Sequence, residues 1–189
     1  MRIIAGQYRS RQLLSPRGLK IRPTSDRLRE TLFDVLTAGD PQRLEGSVWL
    51  DLYAGTGAVG IEALSRRARI VYFVEESAKA AELIRRNLSK LAVDSDSFEI
   101  MERETLAALR RLDAQAVDCD FCFVDPPYRL QGAYQEVLGF LSQSQMLKPS
   151  ATVISEHDRK FDPAQQVGAL QRYRKLEQGD AALSFYRRE

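Results

Sequence analysis

Five short apolar runs, at 48–52, 70–74, 98–101, 121–124 and 151–155, alternate along this chain with segments whose apolar residues recur at helical spacing. The runs read as strands and the intervening segments as amphipathic helices. A helix over 59–66 follows the first strand. The helix over 77–91 buries Ala78, Ala81, Ile84, Leu88 and Leu91. Later ones carry Leu106, Leu109 and Leu112, then Tyr134, Val137, Leu138 and Leu141. Strict alternation with continuously apolar strands implies a parallel sheet covered by helices on both faces. In such a sheet ligands bind beyond the carboxyl ends of the strands, near the switch in strand order.

Before this alternation, residues 3–14 suggest a small hairpin around Gly6, and Pro16, Gly18 and Pro23 mark a loop. Thr24 or Ser25 can cap a helix with Asp26 in its first turn and Leu28, Leu32, Val35 and Leu36 on its apolar face. Two further strands are expected near 172–176 and 182–186. A chain of 189 residues, 44% hydrophobic and 29% charged, suits one globular domain with a short appendage. We divide it into a basic N-terminal arm, 1–23, and a body, 24–189.

No apolar run approaches the roughly 18 residues a membrane span needs. The first residues turn basic again before a signal-type apolar core could form, so a cytoplasmic location is expected. Cys119 and Cys122 have redox- or zinc-like spacing. Strand alternation would turn them to opposite faces, and no second ligand pair exists, so both read as small buried residues in a reducing compartment. No metal is expected. The net charge is only +2, but Arg2, Arg9, Arg11, Arg17, Lys20, Arg22, Arg27 and Arg29 precede Glu30 with Asp26 as the sole acid among them. Arg172, Arg174, Lys175, Arg187 and Arg188 form a second group. Such clusters suit either phosphate contacts or a solvated face.

The unusual residues fall at strand ends. After 48–52 come Tyr53, Ala54, Gly55, Thr56 and Gly57, with Gly60 completing G-x-G-x-x-G. Glycines let backbone approach a ligand, and the following helix start offers free N–H groups. The pattern alone admits a nicotinamide oxidoreductase. Asp51, just before the turn, favours S-adenosylmethionine instead: a carboxylate there repels pyrophosphate but attracts the amino group of a methionine moiety. Glu75, ending the second strand, is placed to accept from ribose hydroxyls in either cofactor.

The fourth strand ends in Asp125-Pro126-Pro127-Tyr128. Each proline holds the residue before it extended, and neither proline has an N–H. The segment therefore presents acceptors, the Asp125 carboxylate and the Pro126 carbonyl, to a group with two N–H bonds. An exocyclic base amine is such a group, and Tyr128 offers a face for the base to stack on. Drawn toward tetrahedral geometry by these two hydrogen bonds, the amine nitrogen could attack an activated methyl in line, with positioning supplying much of the rate.

With both motifs in place the chain resembles the RsmD family, 16S ribosomal RNA guanine-N2 methyltransferases. The resemblance runs nearly end to end, through M-R-I-I-A-G at 1–6, R-P-T-S-D-R-L-R-E at 22–30, D-L-Y-A-G-T-G at 51–57, F-V-E at 73–75, F-V-D-P-P-Y at 123–128, E-H-D at 156–158 and G-D-A-A-L-S-F-Y at 179–186. D-P-P-Y is shared with adenine and cytosine amino-methyltransferases, whereas the 22–30 segment is far more specific. The resemblance implies a Rossmann-like class I methyltransferase fold, α/β, whose seven-stranded, mostly parallel sheet has an antiparallel last strand and a small N-terminal β-hairpin extension contacting RNA. It implies methyl transfer from S-adenosylmethionine, leaving S-adenosylhomocysteine, to guanine 966 on a small-subunit particle or assembly intermediate. RNA contacts are expected at Arg2, Arg9, Arg11, Arg22 and Arg27.

In the family an Asp after the third strand contacts the adenine amino group. Glu104 occupies that position here, beside Thr105. His157 is the lone histidine, and a structural role suits it because methyl transfer requires no base there. An N6-adenine amino-methyltransferase, a non-catalytic ribosome-assembly factor and an NAD-dependent oxidoreductase remain open. A monomer is the default reading.

Overall fold

The computed structural model describes residues 1–15 and 24–189. The first helix, α1 (Asp26–Leu36), starts at Ser25, whose hydroxyl accepts from the Leu28 N–H at 3.1 Å. It buries Leu28, Leu32, Phe33 and Leu36. There follow β1 (Val48–Leu52), α2 (Ala58–Ser65), β2 (Ile70–Val74), α3 (Ala78–Leu91), β3 (Phe98–Met101), α4 (Thr105–Ala114), β4 (Cys119–Val124), α5 (Gln131–Gln143) and β5 (Leu147–Asp158). The tail adds β6 (Gln166–Val167), β7 (Leu170–Gln178) and β8 (Ala181–Arg188). Ala78 is exposed rather than buried, because Ser77 caps α3 and leaves its first residue at the solvated end.

The strands form one sheet in the order β3-β2-β1-β4-β5-β8-β7-β6. β1 to β5 pair in parallel, while β8 is antiparallel to both β5 and β7. The seven strands the resemblance implies are thus β1–β5, β7 and β8, with the last strand of the chain antiparallel. β6, only two residues long, is an eighth on the far edge. β5 runs beyond its apolar stretch at both ends, through 147–150 before it and through Glu156, His157 and Asp158, which pair with β8, after it.

Two cores flank the sheet. One packs α1, α2 and α3 against Trp49, Phe73, Phe121, Phe123 and Ile154. Trp49 lies stacked between Phe33 and Phe121, at centroid distances of 5.4 and 4.8 Å. The other packs α4 and α5 against Leu50, Leu52, Cys122 and Val124. Cys119 lies in this second core as well, so the cysteines do not face opposite sides. A register shift between Cys119 and Phe121 cancels the alternation. Both are free thiols, fully buried, and burial pushes both pKa values up.

Residues 1–15 form a short hairpin, closed by the antiparallel bridge of Arg2 with Gln12 and by backbone N–H groups of Ile3, Ser10 and Leu13 donating to the carbonyls of Arg11, Ile3 and Met1 at 3.0, 2.9 and 3.2 Å. Much of the loop's backbone bonding goes to the body. Glu62, fully buried in α2, accepts from the Ile4 and Ala5 N–H groups at 2.8 and 3.0 Å. Ser65 Oγ accepts from the Tyr8 N–H at 3.0 Å, and Asn87 Oδ1 from the Leu14 N–H at 2.7 Å. Ile3 and Leu13 join the first core. Gly6, at φ +81°, sits so close to α2 that a Cβ would lie 1.9 Å from the Ser65 carbonyl oxygen.

Candidate active site

The strand order switches between β1 and β4, where β2 and β3 lie to one side and β5 to the other. Crossovers leaving in opposite directions open a crevice at the carboxyl ends of these strands, and the sequence motifs lie there. After β1 the chain turns sharply: Tyr53, Gly55 and Gly57 all have positive φ, of 61°, 55° and 75°. Gly57 is the N-cap of α2. Gly60 serves packing instead, since a Cβ there would stand 2.3 Å from the Phe73 ring. The turn can thus lie close against the sheet, with the α2 N-terminus behind it.

Two carboxylates brace the turn. Glu75, at the end of β2, accepts from the Gly55 N–H through Oε2 at 2.8 Å and from the Ser77 N–H through Oε1 at 2.9 Å. Each oxygen can accept further hydrogen bonds, so the carboxylate is oriented without being saturated. Asp51 is 2% exposed and accepts from the Gly60 N–H at 2.9 Å. Burial raises its pKa from 3.8 to about 7, against the Gly60 hydrogen bond and helped by the charge of Glu75.

Opposite this turn, the strap after β4 carries Asp125, partly exposed, Pro126, buried, Pro127, exposed, and Tyr128, partly exposed. A cleft of about 510 Å³ is lined by Glu75, Ser77 and Thr105 together with Asp125, Tyr128 and Glu156. That volume is in the range of small-molecule sites. Tyr53, Gly55 and Asp125 also border a recess of about 40 Å³ reaching Asp51 and Thr56. The pieces fit a nucleoside bearing a charged amino acid: Glu75 for sugar hydroxyls, Asp51 and the glycine turn for the amino-acid end, and the strap where the reacting group would emerge.

Glu104 caps α4, its two oxygens accepting from the Leu106 and Ala107 N–H groups at 2.9 and 2.8 Å. At that point the cleft is lined by Thr105 and Tyr53. His157 is fully buried. Its Nδ1 is 2.9 Å from the Asp158 carbonyl, which can only accept, so Nδ1 carries the proton and Nε2 accepts from the Ser184 hydroxyl at 2.9 Å. Burial lowers its pKa, in keeping with a neutral structural imidazole.

Three residues escape the sequence motifs' logic. The hydroxyl of Tyr134, on α5, reaches the Glu156 carbonyl at 3.0 Å and the Pro126 carbonyl at 3.3 Å, tying the strap to β5. Its helical spacing marks it only as core. Thr24 Oγ1 donates to Glu156 Oε2 at 2.8 Å, a buried contact 132 residues apart in sequence. Both Thr24 and Glu156 fall within the motifs at 22–30 and 156–158, but neither motif reveals that they meet.

The expected RNA-contacting arginines divide. Arg2, Arg9 and Arg27 line one cleft of about 340 Å³ between the N-terminal loop and α1, together with Asp26 and Glu30. Arg11 lies apart, donating to the Lys90 carbonyl at 3.2 Å. Arg22 lies outside the described residues. The C-terminal basic group is largely engaged within the protein: Arg172 pairs with Asp162, Lys175 with Asp162 and Glu177, and Arg187 covers the Tyr173 ring.

Comparison with known proteins agrees over nearly the whole chain. The family described as Conserved hypothetical protein 95 matches residues 1–187. Ribosomal RNA small subunit methyltransferase D of Haemophilus influenzae is 35% identical over 84% of this chain and 79% of its own length. The Escherichia coli K12 protein of the same description is 30% identical over 100% and 90%. The solved structure of a candidate methyltransferase from Escherichia coli, yhhF, superposes with a TM-score of 0.82 at 28% identity, covering 100% of this chain and 98% of that one.

Proposed function

This chain belongs to the family described as Conserved hypothetical protein 95, the RsmD family, and from that membership we propose that it transfers a methyl group from S-adenosylmethionine to the exocyclic N2 of a guanine in 16S ribosomal RNA, at position 966. The observation that carries this reading is that the acceptor-rich strap, Asp125 to Tyr128, and the nucleoside-binding wall, Glu75 to Thr105, open into one cleft. The names of the curated relatives supply ribosomal RNA as the substrate class.

Asp51, Tyr53, Ala54, Gly55, Thr56, Gly57, Glu75 and Thr105 would hold the cofactor, with Glu104 acting through the cap that places Thr105. When bound, S-adenosylmethionine supplies an electrophilic methyl on a positively charged sulfur. The protein's part is then orientation. The Asp125 carboxylate and the second lone pair of the Pro126 carbonyl accept the two N–H bonds of the base amine, freeing the nitrogen lone pair from the ring. Tyr134, bonded to that same carbonyl, holds its direction, and the Tyr128 ring stacks on the base. Residues 1–23 act as the RNA-contacting arm and 24–189 as the transferase body. The substrate is a small-subunit particle in the cytoplasm, met by one copy of the protein.

Transfer of labelled methyl from S-adenosylmethionine to small ribosomal subunits lacking native methylation, followed by nucleoside analysis, tests the proposal. Label in N2-methylguanosine supports it. Label in N6-methyladenosine keeps the chemistry and overturns the base. No label with cofactor bound points to another substrate or a non-catalytic assembly role. Thermal stabilisation by NAD but not by S-adenosylmethionine would return the oxidoreductase reading.

A further inference from the structure

The strap alone does not explain a choice of guanine. Asp125 and the Pro126 carbonyl accept from any exocyclic amine, and adenine and cytosine have one too. The bases differ at the ring atoms flanking the amine-bearing carbon. In guanine one of these is N1–H, a donor. In adenine and cytosine the corresponding ring nitrogen is an acceptor. A carboxylate facing this position accepts from guanine and meets a lone pair in the other two.

Glu156 stands where such a carboxylate is needed. β4 and β5 are parallel neighbours, and Val124 pairs with Ser155, so Asp125 and Glu156 follow as the next residues on adjacent strands. Neighbouring strands lie roughly 4.8 Å apart. Glu156 is 4% exposed and borders the same cleft as Asp125 and Tyr128. Its carboxylate is oriented from one side by the Thr24 hydroxyl, and its backbone is bound through Tyr134 to the Pro126 carbonyl. Thr24 is one of the groups that engage this carboxylate, whose two oxygens together offer about four lone-pair sites, enough to hold such contacts and still accept from a base. The two acceptors for the amine and the carboxylate beside it are thereby fixed relative to one another.

We infer that Glu156 reads the N1–H of the target guanine and is the residue by which the site prefers guanine to other amine-bearing bases, an assignment that rests on the methyl-transfer function proposed above. The Thr24 hydroxyl is its positioning partner, so the segment before α1 contributes to base choice as well as to RNA contact.

The test compares one RNA carrying either guanine or 2-aminopurine at the target position. 2-Aminopurine keeps the N2 amine but has a bare N1. For the wild-type protein, kcat/KM is expected to be about 10- to 100-fold lower for 2-aminopurine, as when a site's polar group loses the hydrogen bond it was built to make. Glu156→Gln, which can keep the Thr24 hydrogen bond through its amide oxygen, should slow the guanine reaction and bring the two substrates within about threefold of each other. A purely structural role would slow both alike and preserve the ratio. Equal wild-type rates on the two substrates overturn the inference even if the variant fails to fold, and so does a Glu156→Gln protein that keeps the wild-type preference. No methyl on guanine from the wild-type protein overturns the proposed function itself, and the inference falls with it.

Discussion

Asp51 is the residue whose chemistry the fold changes most. Burial raises its pKa from 3.8 to about 7, so near neutral pH it is only partly ionised. Because the folded protein favours the protonated form, this group's contribution to stability is complete below the ordinary carboxyl value and lost as pH rises through about 7. A cation beside it reverses the preference. Affinity for S-adenosylmethionine, whose amino-acid end it faces in our assignment, is therefore expected to strengthen about fivefold between roughly pH 6 and pH 7, following the ionised fraction, and to level off toward pH 8 as the ligand's α-amino group loses its proton. Asp51→Asn should flatten that dependence and raise the melting temperature of the ligand-free protein at alkaline pH. Calorimetric titrations across this range check the first expectation and thermal melts the second. At the strap, Asp125→Ala is expected to lower the methyl-transfer rate by about two to three orders of magnitude, as for loss of one transition-state hydrogen-bonding group. Cofactor affinity should change less, and near-normal turnover would remove Asp125 from the amine-orienting role.

At the level of elements, the N-terminal loop depends on α2. Beyond its own cross-strand bonds, the loop is held to the body by Glu62, which accepts two of its N–H groups and pairs with Arg66 at 3.0 Å and the buried Arg29 at 3.7 Å. Removing one member of such a buried set leaves charges and N–H groups without compensation. Glu62→Ala is expected to cost about 3–5 kcal/mol in urea unfolding. A loss under about 1 kcal/mol would mean that the loop docks through Ile3 and Leu13 instead. The strap depends on α5 in a similar way, through the Tyr134 hydroxyl between two carbonyls.

For the whole molecule, charge distribution matters more than the net value of +2. Arg2, Arg9 and Arg27 converge on one cleft beside the segment that carries Thr24, whereas the C-terminal basic residues largely answer acids and carbonyls of their own fold. A phosphate-tracking face is therefore expected on the N-terminal side. Replacing Arg9 and Arg27 by Gln should weaken RNA binding and reduce the slope of log K against log salt by about one to two. Titrations at several salt concentrations decide this, since an unchanged slope would place the RNA path elsewhere.

The order of strands and helices, the parallel body of the sheet and the two motif-bearing strand ends were legible from local pattern alone. Apolar period, glycine and proline act within a few residues, and the helix-linked strands β1 to β4 follow that period within one or two residues of their ends. Asp51, Glu75 and Asp125 stand out as candidates for the same reason, each being an acid at or beside the end of an apolar strand. Other features needed the folded chain. The bulge that brings Cys119 and Cys122 into one core, the docking of residues 1–15 on Glu62, and the placing of Thr24 and Tyr134 around Glu156 all join segments far apart in sequence. Local spacing determines which element a residue joins and, where no bulge intervenes, which way it turns. Which distant side chain meets it, and how a buried carboxyl then titrates, is set only when packing removes water and brings the elements together.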